Sequence, residues 1–189
     1  TRPEAMMLAA THILFAGLLW ITILPNGTQF HELIRKGEFD FALLKPINLR
    51  FLVSTKIVEL DQLPRLLITP LVFSYLLKSF QFSPNWTQIS LFIILILLGL
   101  FIFYNLFFMI MTTNVWFVNT FNLENLFESL VDVGRFPVQI FSGPLKILFT
   151  YIAPVAYIAT FPTQVLIGRG NLSLVLIAIL LAAGTFIIS

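Results

Sequence analysis

The side chains able to move a proton, hold a metal or grip an anion are scarce in this chain, and most lie in one stretch. Residues 31–65 read HELIRKGEFDFALLKPINLRFLVSTKIVELDQLPR. This polar island holds Arg35, Lys36, Lys45, Arg50, Lys56 and Arg65 of the 11 basic residues, and Glu32, Glu38, Asp40, Glu59 and Asp61 of the 9 acidic ones. Mixed charge around short apolar runs suits docking into a groove with the register fixed by ion pairs. The patterns that carry bond chemistry are missing. There is no GxxxxGK[ST] to cradle a nucleotide's phosphates, no HExxH and no GxSxG. His12 and His31 lie at different expected depths and do not meet in a simple bundle. The chain has no cysteine, which excludes disulfides and thiolate metal sites. Asn26, Asn85 and Asn171 each open an Asn-x-Ser/Thr triplet, a short and frequent pattern taken as chance.

What surrounds the island explains where such docking would happen. Hydrophobic residues make up 58% of the chain and charged ones 11%, with a mean hydropathy of +0.95. A soluble domain carries roughly 25% charged residues, so the composition implies an integral membrane protein. The 21 phenylalanines suit lipid contact and helix packing in lipid. A net charge of only +2 says little about nucleic acid, and the positive charges are better explained by membrane orientation than by a phosphate-binding face; no nucleic-acid partner is expected.

A membrane-spanning helix needs about 20 apolar residues. Residues 5–24 meet that length with no Asp, Glu, Lys or Arg, and Pro25-Asn26-Gly27 is expected to stop the helix. His12 sits near its middle. An intramembrane ionisable group is a functional candidate, but the plainer reading is a hydrogen bond inside the bundle. Within the island, residues 28–36 are expected to form one short helix, broken by Gly37. Asp40 is a plausible N-cap for a second, Phe41 to Leu44, which Pro46 ends. Residues 47–61 look like an approach helix.

Residues 64–80 make a second span, with Pro64 in its first turn and Pro70 kinking its interior. Residues 86–118 make a third, overlong one; Asn105 is its main interior polar residue, expected to bond another helix. Residues 122–133 are amphipathic, with Leu123, Leu126, Phe127, Leu130 and Val131 on one face. Residues 144–168 form a fourth span containing Pro154 and Pro162, whose irregular end suggests a re-entrant turn. Residues 171–189 form a fifth. The chain starts at Thr1, which suggests a piece of a longer protein from which an upstream membrane helix has been lost. Counted in order, these spans put loops 25–63 and 119–143 on one side with most of the Lys and Arg. The positive-inside rule makes that side the cytoplasm.

One local pattern is more specific than composition. Ile34, Arg35, Gly37, Phe39, Asp40, Leu43, Lys45, Pro46 and Ile47 resemble the first cytoplasmic loop of ABC-2 type permeases, in particular a bacterial group of uncharacterised exporter permeases. Phe136-Pro137, Pro154-Val155-Ala156 and Phe161-Pro162 through Gly168 are similar to that group too, and the likeness covers nearly the whole chain. The resemblance implies an all-α, polytopic transmembrane helix bundle forming one domain over residues 1–189, with six membrane helices of which the first is absent here. It implies a multi-pass protein of the bacterial plasma membrane that owns no ATPase motifs, binds no cofactor itself and works with ATP held on a separate ABC ATPase subunit.

A second permease chain, identical or related, would complete the pathway within the lipid bilayer. A short coupling helix would dock on the ATPase, with Arg35, Gly37, Asp40, Phe41, Leu43, Leu44, Lys45 and Pro46 as its contact. Asn105, Pro154 and Pro162 are the pathway candidates. The residues alone leave a second reading of the island open, a solvated loop whose charges only orient the protein. Two rivals to the transporter also stand: an integral-membrane enzyme acting on lipids, and a membrane-assembly protein without transport. The cargo is not legible.

Overall fold

The computed structural model describes residues 2–46, 49–113 and 121–189, except the side chains of His31, Ala42, Leu43, Leu49, Val53 and residues 121–124. All regular structure among them is helical. The first helix does not stop at Pro25. It runs from Arg2 to Arg35 as one rod of 34 residues, about 51 Å at 1.5 Å per residue. Its parts are α1 (Arg2–Leu18), a π turn (Leu19–Ile23) and α2 (Leu24–Arg35). Proline removes a donor from the helix ladder, and Pro25 has no N–H to give the Ile21 carbonyl. A later segment repairs the loss: the Glu59 N–H donates to Ile21 O at 2.9 Å. The widened turn and this outside donor let the helix continue through a sequence that reads as a stop.

Gly37 does end the rod. At φ +72° it takes the left-handed conformation that only glycine adopts at no cost. Its N–H bonds Ile34 O and that of Glu38 bonds Leu33 O, a Schellman closure. α3 (Phe39–Leu43) follows, with Asp40 inside the first turn rather than capping it. The approach segment is helical only in α4 (Leu49–Ser54); Ile47 and Asn48 lie outside the described residues. A 3-10 turn (Leu60–Gln62) leads into α5 (Leu63–Ser79), which carries Pro64 in its first turn and Pro70 inside, as expected.

α6 (Trp86–Thr113) is the central post, and with the Arg2–Arg35 rod it is one of two described helices long and apolar enough to cross a membrane. α5 packs along α1, and α10 (Leu172–Ile188) along α6. In lipid, close packing rather than hydrophobic burial holds helices together, and glycines let backbones approach. Gly99 does so here: a Cβ there would stand 2.9 Å from both Phe15 and the Tyr157 carbonyl. Phe15, Phe103 and Phe127 are all fully or almost fully buried, and Phe103 packs edge-on to the other two.

Two elements depart from the sequence reading. α7 (Phe121–Val133) is amphipathic as expected, burying Phe127 and Val131; its Glu128 shares a cavity with Glu32, Ile57 and Glu59 of the island, but the helix does not stay on that side. Phe127 packs on Phe107, and Val131 O meets the His12 ring nitrogen at 3.0 Å, so the helix climbs toward the Arg2 end. Beyond it, Pro137 and Gln139 line a cavity with Glu4 and Arg169.

Residues 144–166 then form a bent pair, not a span from end to end. α8 (Pro144–Ile147) with a π turn (Leu148–Ile152) is followed, after a 63° bend, by residues 155–166, which include α9 (Thr160–Leu166). Before the pair, the Val138 N–H already donates to Thr160 Oγ1; after it, Gly168 lies against Gln88 at the start of α6. The pair therefore enters and leaves from the same end. Its tip, Ile152 and Ala153, reaches Phe103, Leu106 and Ile110. Pro154 centres a tight turn there, the Val155 N–H bonding Ala153 O.

This topology weakens the charge argument for orientation. Arg135 and Lys146 leave the island's side to join Arg2, Lys78 and Arg169, so the basic residues divide six to five. What remains distinctive is that the six share one loop.

Candidate functional site

The island folds into a small platform at the Gly37 end of the rod. α3 is pinned on one side by Phe39, whose ring meets Phe30 edge-on at 5.5 Å, while Phe30 stacks on Phe108 of α6 at 6.4 Å. Its other side is open. Phe41 is 70% exposed and Leu44 79%. Arg35, Asp40, Lys45 and Pro46 are exposed around them, and Lys36 pairs with Glu32 at 2.8 Å. The Leu43 side chain lies outside the described residues. A pinned five-residue helix and the residue that follows it thus present two large apolar side chains within a charged rim. Between α2, α3 and α4 lies a cavity of about 520 Å³ lined by Phe30, Leu33, Phe41 and Leu52, with Lys45 and Lys56 at its edge.

Two joints fasten the platform to the bundle; of them the sequence foretells only that Asn105 bonds another helix, not its partner. At the first, Asn26 Nδ2 donates to Ile57 O at 2.7 Å and Asn26 Oδ1 accepts the Ile57 N–H at 2.8 Å, next to the Glu59–Ile21 bond. At the second, Arg50 turns inward from α4. Its guanidinium donates to Asn105 Oδ1 at 2.5 Å and Ser189 Oγ at 2.6 Å. The rings of Tyr104, Phe108 and Phe186 surround it, at 5.3, 4.7 and 5.4 Å. Ser54 Oγ and Tyr104 OH add a 2.6 Å bond. Arg50 reads as one more loop charge; only the fold reveals it as an internal anchor.

The three pathway candidates do not come together. Asn105 is fully buried, donating to Phe101 O as it holds Arg50. Pro154 and Pro162 are buried in the hairpin. Near the latter, Thr163 donates to Thr11 across the packing at 2.9 Å. At the Arg2 end, Glu4 and Arg169 form an ion pair at 2.5 Å beside a cavity of about 380 Å³. Among the described residues no group of His, Cys, Asp and Glu is placed to hold a metal ion.

The chain was compared with known proteins. A family model described as ABC-2 family transporter protein matches residues 1–189. No curated protein and no solved structure matches. Because the family match runs the whole length of a chain whose long apolar helices suit it, the chain belongs to the ABC-2 family of transporter proteins, the membrane permease component of ABC transporters.

Proposed function

We propose that this chain is the multi-pass permease subunit of an ATP-driven exporter in the bacterial plasma membrane, worked through α3 by a separate ATPase subunit. It hydrolyses nothing itself; ATP binds on the partner. A second permease chain completes the pathway. The observation that carries the reading is the pinned helix with bare Phe41 and Leu44. Exposed large apolar side chains on a short, anchored helix are suited to insertion into a groove, with Asp40 and Lys45 setting the register. Closure of the ATPase pair on ATP would push on the platform, which its two joints tie to the rod at Asn26 and Ile21 and to α6 and α10. The rival of a solvated loop gives no reason for Phe39 to be fixed while Phe41 and Leu44 are left open.

The test is co-purification. Leu44→Asp and Asp40→Arg should each strip the ATPase subunit from the permease while leaving the permease folded. Full retention of the ATPase in both variants, with ATP-dependent export unchanged, would refute the coupling role.

A further inference from the structure

We infer that Arg50 is the positioning residue that carries movement of the coupling platform into the bundle, with Asn105 and Ser189 as its receiving groups. The inference rests on the coupling reading above and adds the route by which the push leaves the platform. Three elements meet at one guanidinium: α4, which bears Arg50; α6, through Asn105; and the end of α10, through Ser189. The bonds are short, and three aromatic rings enclose the cation.

Arg50 is half-buried, and a charged group in such a place is costly to strip of its hydrogen bonds. Arg50 therefore does not slide over α6; α4 and α6 move together, or the contact is replaced as a whole. The Asn26–Ile57 joint lies against the rod instead, and acts as the fixed side. From Asn105 the path continues along α6. Leu106 and Ile110, on the same helix, share a cavity wall with Ile152 and Ala153 at the hairpin tip. A shift of α6 relative to the rod would thus reach the deepest point of the re-entrant pair.

Residues 1–189 contain no cysteine, so one reporter can be placed at that tip. Ile152→Cys is introduced into the full permease, assembled with its ATPase in lipid nanodiscs, and the maleimide modification rate is measured without nucleotide and with ATP plus vanadate. Retention of the ATPase is measured on the same samples. In the reporter parent, nucleotide should change the rate about fivefold or more, a typical coupling between distant sites. Arg50→Gln should abolish that change while keeping the ATPase bound and hydrolysing. Arg50→Lys, which keeps the charge but loses the planar fork, should retain part of it. Asn105→Leu removes the same bond from the other side and should match Arg50→Gln, which guards against a variant that simply misfolds. A rate unaffected by nucleotide in the parent, or one that responds fully in both Arg50→Gln and Asn105→Leu, overturns the inference. Failure of the parent to hold the ATPase overturns the coupling reading instead, and the retention assay tells the two apart.

Discussion

The side chain of Asn26 pairs with the main chain of Ile57 on both edges, giving a proton at 2.7 Å and taking one at 2.8 Å. It imitates a peptide group, and so supplies the returning chain with the partner that a strand would have offered. Removing it leaves both Ile57 groups unpaired in a part-buried place. Asn26→Leu should destabilise the protein by about 1–3 kcal/mol. Asn26→Asp keeps the acceptor, loses the donor and adds a charge, and should be no better. Thermal unfolding in detergent, followed by intrinsic tryptophan fluorescence, reads both.

Gly27 lies one residue on, where α2 meets α6. A Cβ built there would fall 1.9 Å from the Phe107 ring. Gly27→Ala should cost about 1–3 kcal/mol through overpacking. The additional substitution Phe107→Leu should recover part of the loss if ring contact is the cause. A double-mutant cycle on the same unfolding assay gives the coupling.

Gly37 makes no tight contact, and its backbone alone demands glycine. Gly37→Ala should cost about 1 kcal/mol and Gly37→Asn less, because Asn tolerates the left-handed region better. The same variants should weaken ATPase retention, since the Schellman turn sets the angle at which α3 leaves the rod. Retention unchanged despite lowered stability would mean that this angle does not matter.

The hairpin topology makes a prediction about sidedness. Lys45→Cys and Gln139→Cys are both exposed positions on a cysteine-free background. An impermeant maleimide should reach them from opposite faces of the membrane: Gln139→Cys in intact cells, Lys45→Cys only after permeabilisation. Labelling of both from one face would return residues 134–143 to the island's side and cancel the re-entrant reading of residues 144–166.

Much of the platform was legible because its signals are local. Gly37 and Pro46 bracket a short helix, and the uncharged, mostly apolar run of residues 86–113 admits only one element of that length. The parts that escaped depend on contacts distant in sequence. Pro25-Asn26-Gly27 carries every mark of a helix stop, and only the bonds from residues 57 and 59 reverse it. Residues 122–133 have an apolar face whether they rest on a membrane surface or pack into a bundle; the Phe103, Phe107 and His12 contacts choose the second. Residues 144–168 are long enough to span, and composition does not reveal that the chain already stood at the far end by Gln139. Asn105 bonds another helix as expected, but no sequence rule names Arg50, one charge among many in the island, as its partner.

The repair at Pro25 also sets an order in time. The oxygen that proline leaves unanswered is met by an amide that the ribosome makes later, after Gly37 and α3 have already emerged. The rod can thread into the membrane early, but the widened turn at its middle is sealed only once residue 59 arrives. Assembly of this protein should thus pass through a stage in which its first helix is inserted yet hinged, and a chaperone or protease that recognises loose membrane helices has its opening there.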